Sequence, residues 1–174
     1  YASARDAAWR AGAARAGAGA GFGGQVDLAA PFVERSLALL RPGGTLALLV
    51  PAKLWRALAG GGLRALLARE ARVVAVDDWS EAPAAFDAVT YPSLLVATRA
   101  AASPAARGGD APGVEVRVHR GARVHAGRVA PHALPLADDP AAPWLLLPPD
   151  VRAAFERVRA AGPALGDAAL THIA

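Results

Sequence analysis

The amino-acid sequence predicts an α/β fold, and three apolar segments carry this prediction. The first, Thr45 to Val50, is apolar without polar alternation, which is typical of a strand covered on both faces. Further strands are expected from Arg72 to Val76 and from Ser93 to Thr98. Helical patterns precede the first two strands, but only a loop precedes the third. The third strand is therefore expected to run antiparallel, because parallel neighbours need a long, usually helical connection.

The first helix is expected to begin at Asp27, whose carboxylate is a good N-cap. It should end at Arg41, since Pro42 cannot continue a helix and the glycine pair that follows supplies a turn. A second helical region should extend to about Arg69, with an interruption at residues 60–62. Apolar residues recur at helical spacing in the first helix: Leu28, Phe32, Leu37 and Leu40.

The flanking regions carry weaker signals. Residues 1–26 are rich in alanine, glycine and arginine and are expected to form a loop with some helix. Residues 19–24 match G-x-G-x-x-G, but no strand precedes them, so we do not interpret them as a dinucleotide fingerprint. Residues 114–119 alternate between apolar and polar and predict a half-exposed strand, paired with residues 123–129. A helix is expected from Asp150 to about Ala160.

The chain is expected to be a piece of a longer protein. It begins with Tyr1, contains no methionine and ends where a new segment starts. Four regions are expected: a loop region at 1–26, an α/β region at 27–99, a linker and β-hairpin extension at 100–148, and at 149–174 a helix leading toward a further domain.

Composition narrows the class of protein. The chain has 174 residues, no cysteine, a net charge of +4 and a single lysine among its 19 basic residues. This balance favours an anionic partner such as nucleic acid, although a GC-rich genome also enriches arginine. Without cysteine there is no disulfide and no thiolate metal site. No apolar stretch reaches the roughly 18 to 20 residues of a membrane span, so a soluble protein is expected. The lack of cysteine fits a cytoplasmic location.

Three segments in this order resemble a known enzyme family: "VDLAAPFVERSLALLRPGGTLALLVPAKLW", a strand ending "VDDW", and "AFDAVTYPSLLVATR". Together, from about Gln25 to Arg99, they resemble the second half of the catalytic domain of N6-adenine-specific DNA methyltransferases of restriction-modification type. The resemblance implies a Rossmann-like class I methyltransferase sheet with an antiparallel last strand, here with a small β-rich extension. It also implies S-adenosyl-L-methionine as cofactor, double-stranded DNA as partner, and no metal.

The family's catalytic tetrapeptide, Asp/Asn-Pro-Pro-aromatic, is not present. The chain has no asparagine, and the nearest candidates, residues 139–142 and 148–150, have the wrong order. The resemblance therefore implies that this motif and the glycine-rich cofactor loop lie upstream of Tyr1. The chain alone is expected to be inactive and to expose an unpaired edge at the strand 45–50.

The resemblance also implies roles for three apolar residues. Phe86, before the last strand, corresponds to the ring on which a flipped adenine stacks; alternatively it caps the sheet edge. Phe32 corresponds to an aromatic residue that lies against the adenine of the cofactor, and Leu28, one turn earlier, lines the same pocket. Core packing is the alternative for both, because their spacing is that of core residues.

Ligands gather at the carboxyl ends of parallel strands, and Val50 to Lys53 is such an end. Lys53, Trp55 and Arg56 are therefore candidates for contacts with DNA phosphates, and the alternative is a solvated lysine beside a packed tryptophan. Asp77 and Asp78 should point to opposite faces of a strand and are interpreted as a strand end. The four histidines have no metal-ligand spacing.

Two other functions remain open from the sequence. One is a class I methyltransferase that acts on RNA, protein or a small molecule. The other is a non-catalytic α/β interaction module, which would contain a complete small sheet.

Overall fold

A computed structural model describes residues 27–82, 91–101 and 112–162 of the chain. The described residues form one five-stranded mixed sheet and four α-helices, joined by short 3-10 turns. The elements, in chain order, are α1 (Ala29–Leu39), β1 (Thr45–Pro51), α2 (Lys53–Arg56), α3 (Gly61–Glu70), β2 (Ala71–Glu81), β3 (Pro92–Arg99), β4 (Val114–Arg120), β5 (Arg123–Val129) and α4 (Pro149–Ala160).

The strand order across the sheet is β1-β3-β2-β4-β5. β3 lies between β1 and β2 and is antiparallel to both, so β1 and β2 run in the same direction with one strand between them. β4 pairs with β2 in parallel, and β5 returns antiparallel to β4. The α/β class, the antiparallel last strand of the 27–99 region and the β4–β5 hairpin were all predicted, and all three are confirmed.

Helix α1 begins at Ala29, and the Asp27 carboxylate accepts a hydrogen bond from the Ala29 backbone N–H at 2.8 Å. The N-cap position is Leu28, which has no side-chain cap, so the prediction that Asp27 is the N-cap is wrong by one residue; Asp27 instead holds the first backbone N–H of the helix from the residue before the cap. At the other end, the guanidinium of Arg99 donates to the carbonyl oxygens of Ala38 and Leu40. These contacts join the end of the helix to β3, because the carbonyls of a last helical turn have no partner within the helix.

One apolar core lies against one face of the sheet. The register places Leu95 between Leu48 of β1 and Val76 of β2, and Val76 lies opposite Val116 of β4. Helices α1 and α3 cover this row with fully buried side chains: Val33, Leu37, Leu63 and Leu67. The side chains of β1 that alternate with this row are left open in the described part of the chain.

The prediction that the strand from Thr45 to Val50 is covered on both faces is wrong for the described residues. Leu46 and Val50 are buried, whereas Ala47 is exposed and Leu49 keeps 50% of its surface exposed. The physical reason is position: β1 is the edge strand of the sheet and pairs only with β3 among the described residues. The predicted unpaired edge at this strand is therefore observed there.

Residues 131–148 fold back over the short helix α2. Trp144 stacks on Trp55 with ring centroids 4.8 Å apart and an interplanar angle of 10°. The backbone N–H of Trp144 also donates to the carbonyl oxygen of Trp55 at 2.8 Å. The predicted interruption of the second helical region at residues 60–62 lies earlier in the structure. Helix α2 ends before Ala57, and Gly61 is already the first residue of α3.

Within the described ranges, no helix is long and apolar enough to cross a membrane.

Candidate functional site

The candidate site lies at the carboxyl edge of the sheet, where β1, β2 and β4 all end. Directly after β1, Lys53 forms an ion pair with Asp27, with 2.7 Å between Nζ and Oδ2. Asp27 precedes α1, so this pair brings the start of α1 to the end of β1. Four of the residues singled out from the sequence therefore lie in one region: Leu28, Phe32, Lys53 and Arg56.

The pKa of Asp27 is lowered, although burial works in the opposite direction. Burial alone would raise the pKa of this carboxyl group. The hydrogen bond from Lys53, the backbone N–H of Ala29 and the positive charge of Lys53 together lower it below its ordinary value. Asp27 is therefore held ionised between a helix start and a cation.

Phe32 lies on the side of α1 that faces away from the core. It is 60% exposed, while its helix neighbours Ala30 and Val33 are completely buried. The alternative that Phe32 is a core residue is therefore wrong. Apolar residues occur on both the buried and the exposed side of α1, so their helical spacing alone does not show which of them face the core. Leu28 is half-buried one turn earlier. The predicted contact of both residues with a cofactor stays a prediction.

Arg56 extends from α2 to the buried carboxylate of Asp78 in β2 and forms an ion pair with it. Asp78 is 1% exposed, and its Oδ1 also accepts hydrogen bonds from the Ser80 hydroxyl at 2.6 Å and the Ser80 backbone N–H at 2.9 Å. The Arg56 side chain remains 39% exposed. Its guanidinium therefore pairs with a buried carboxylate and is still partly exposed to solvent. A contact of Arg56 with phosphate stays a prediction.

Trp55 cannot contact phosphate, because it is fully buried. Its indole Nε1 donates to Ser93 Oγ at 2.7 Å, and the Ser93 hydroxyl donates to the Val50 carbonyl oxygen at 3.0 Å. This chain of two hydrogen bonds joins α2, β3 and β1 inside the core. For Trp55 the structure therefore shows the alternative interpretation, a tryptophan packed in the core.

A second polar cluster lies on the other face of β2 and was missed by the sequence analysis. Asp77 Oδ1 accepts from Trp79 Nε1 at 2.9 Å and lies 2.7 Å from His119 Nε2. The Trp79 and His119 rings meet edge to face with centroids 5.6 Å apart. Asp77 and Asp78 do point to opposite faces, as expected, and each holds its own partners. Their interpretation as a strand end is wrong, because β2 continues to Glu81 through its pairing with β4. The missed signal was the alternation in β4 that places His119 beside Asp77.

Arg64 is completely buried in α3 and holds the α2–α3 corner together. Its guanidinium donates to carbonyl oxygens of the corner and of the 131–148 segment: Leu54, Trp55, Ala57 and Ala141. Burial lowers the pKa of Arg64, and the nearby Asp139 charge partly restores it. These contacts fix the short helix that carries Lys53 and Arg56.

Phe86 lies outside the described residues, so its predicted stacking role stays a prediction. In the described part of the chain, no group of three or more histidine, aspartate or glutamate side chains could hold a metal ion. A scan against protein families finds no match, and a search of curated proteins finds no similar sequence.

Proposed function

We propose that this chain forms part of the catalytic domain of an S-adenosyl-L-methionine-dependent DNA adenine N6-methyltransferase, in a restriction-modification or other defence system. The strand arrangement is the observation that carries the proposal. An antiparallel strand lies between two parallel ones, and among the described residues β1 pairs only with β3. This arrangement fits the second half of a Rossmann-like methyltransferase sheet and fits less well a complete small interaction module.

The position of Phe32 supports a cofactor site at the carboxyl edge of the sheet. An exposed aromatic ring one turn into α1, beside Leu28, offers a flat apolar face to an adenine ring. Ligands of open α/β sheets bind outside the carboxyl ends of the strands, which is where α1 starts. The residues present therefore fit the adenine part of the cofactor. When bound, this cofactor would supply an electrophilic methyl group.

The described residues would position the reactants and would not carry the chemistry. The adenine amino group is a poor nucleophile because its lone pair is delocalised into the ring, and the polar groups that would localise it belong to the absent tetrapeptide. Reaching the amino group requires the base to leave the duplex. Phe86 would stack against the flipped base, and Lys53 and Arg56 would contact the DNA backbone beside it.

The function is tested with the protein at its full natural length, incubated with S-adenosyl-L-methionine and duplex DNA. Mass spectrometry of the digested DNA should detect N6-methyladenine. Methyl transfer to RNA, to protein or to a small molecule in place of DNA would contradict the proposal. So would the absence of any methyl transfer together with the absence of cofactor binding.

The cofactor role is tested with two exposed residues of the same helix. Phe32→Ala should raise the dissociation constant of S-adenosyl-L-methionine about tenfold, in line with the 0.5 to 1.5 kcal/mol of an aromatic pair plus its buried area. Leu39→Ala is the matched control, since Leu39 is 70% exposed at the far end of α1. Isothermal titration calorimetry measures both. Equal affinities for the two variants would contradict the role of Phe32.

A further inference from the structure

We propose that the tip of the β4–β5 hairpin is a second binding site for the nucleic-acid backbone, with Arg120 and Arg123 as its phosphate ligands. The hairpin, residues 114–129, contains four arginines and one acidic residue, Glu115. Nothing in the sequence analysis assigned a function to it. The inference rests on the proposed function only for the nature of the nucleic acid, which is duplex DNA.

The first observation is a like-charge pair. Arg120 and Arg123 lie directly opposite each other at the end of the hairpin, separated by a two-residue turn. Like charges opposite each other across two strands destabilise the pairing. Glu81 compensates one of them, with 3.2 Å between Oε2 and the Arg120 Nε, whereas Arg123 is exposed and has no acidic partner among the described residues. An anion at the tip would relieve the repulsion.

The second observation is the location of the tip. β4 runs parallel to β2, and the backbone N–H of Gly121 donates to the Glu81 carbonyl oxygen at 2.9 Å. The tip therefore lies at the same carboxyl edge of the sheet as Lys53 and Arg56. β4 and β5 are three and four strands away from β1, which is about 14 to 19 Å at the usual strand spacing.

Lys53 follows β1 and Arg123 belongs to β5, so the separation that applies to them is four strand spacings, about 19 Å. This is more than the width of a DNA groove, and the two long side chains would have to lean toward the duplex to cover the difference. The major groove of B-form DNA is about 12 Å wide between its two backbones. Lys53 on one side and Arg123 on the other would contact the phosphates of opposite strands. Such contacts position the duplex and do not read its sequence.

The third observation is that the tip is held in place before any ligand binds. His119, next to Arg120 in β4, lies 2.7 Å from the buried Asp77, and its ring packs against Trp79. The hairpin is therefore attached to the sheet by side chains as well as by its parallel pairing with β2. Because the hairpin backbone is held in place, binding of a phosphate by Arg123 orders only the side chain and not the loop, and this favours affinity.

The test measures binding of a fluorescent duplex by anisotropy at several salt concentrations, with the protein at its full natural length. Arg123→Gln should reduce the slope of log affinity against log salt by about 0.9. Between 50 and 200 mM salt, the wild-type affinity should thus fall about three- to fourfold further than that of the variant. Arg123→Lys keeps the charge and should keep the slope.

Arg128→Gln is the matched control. Arg128 belongs to the same strand, is exposed and likewise lacks an acidic partner in the described part of the chain, but it lies opposite Glu115, five residues from Arg123 and about 17 Å along the strand. The variant should keep the wild-type slope. Equal slope changes for Arg123→Gln and Arg128→Gln would show a general charge effect and overturn the site.

The remaining outcomes separate this inference from the proposed function. An unchanged slope for Arg123→Gln in a protein that methylates adenine would overturn the hairpin site alone. A reduced slope in a protein with no methyl transfer would support the hairpin site and remove the proposed reaction. A slope change with single-stranded RNA but not with duplex DNA would overturn the inference.

Discussion

At the scale of single residues, the Ser93 hydroxyl links two buried polar groups. It accepts from the buried Trp55 indole N–H and donates to the Val50 carbonyl oxygen. Ser93→Ala leaves a buried donor without a partner, so we expect the free energy of unfolding to fall by about 1 to 3 kcal/mol. Denaturant unfolding monitored by tryptophan fluorescence measures this. Trp55→Phe combined with Ser93→Ala should cost less than the sum of the two single changes, because phenylalanine has no N–H donor to leave unpaired; strict additivity of the two changes would contradict the link.

A pH effect is expected at Asp27. Its pKa is lower in the folded chain than in the unfolded one, where it is about 3.9. Its ionised form therefore stabilises the fold above that unfolded value, and this stabilisation is lost as the pH falls through the lower folded value. Urea unfolding between pH 2 and 6 should show a shallower dependence on pH for Asp27→Asn than for the wild type. Parallel curves would contradict the assigned role of the Lys53 ion pair.

At the scale of the elements, the α2–α3 corner depends on a close approach of Gly60. A β-carbon at this position would lie 2.0 Å from the carbonyl oxygen of Leu54 and 2.8 Å from the guanidinium of Arg64. Gly60→Ala should therefore destabilise the fold by about 3 kcal/mol or more, because backbone must move. Gly162→Ala is the control and should be close to neutral, because an added β-carbon there would meet no atom of the described residues within 4 Å. Thermal melting compares the two; similar melting temperatures would show that the corner tolerates a side chain.

The elements also show how far the sequence could predict the structure. Four strands follow from local signals: apolar runs for β1 to β3, and alternation for β4. β5 was expected only as the pairing partner of β4. The exposure of Leu49 did not follow, because composition does not say whether a strand lies at an edge. The contacts of Arg64 with Ala141 and of His119 with Asp77 join residues 77 and 42 positions apart, and no local pattern encodes such pairs. The clustering of Leu28, Phe32, Lys53 and Arg56 was within reach, because parallel strands end at one edge.

At the scale of the whole molecule, self-association in solution should depend on β1, which pairs only with β3 among the described residues. An edge strand with exposed apolar side chains promotes pairing between chains. The 174-residue chain on its own should self-associate, and Leu49→Lys should reduce this several-fold in sedimentation velocity experiments. Val124→Lys is the control, since Val124 is 54% exposed on the opposite edge strand β5, next to Arg123 and opposite His119. Equal effects of the two substitutions would show that self-association does not proceed through β1.

The central place of β3 also has a consequence for biosynthesis. β1 and β2 leave the ribosome before β3, yet β3 must lie between them and pair with both. Until residue 99 has emerged, the nascent chain holds two apolar strands that are not neighbours in the finished sheet. Any premature pairing of these strands must open again before β3 can enter, and such unpaired edges are where nascent chains aggregate. The rate of translation through residues 82–99 therefore sets how long β1 and β2 remain without the strand that pairs with both of them.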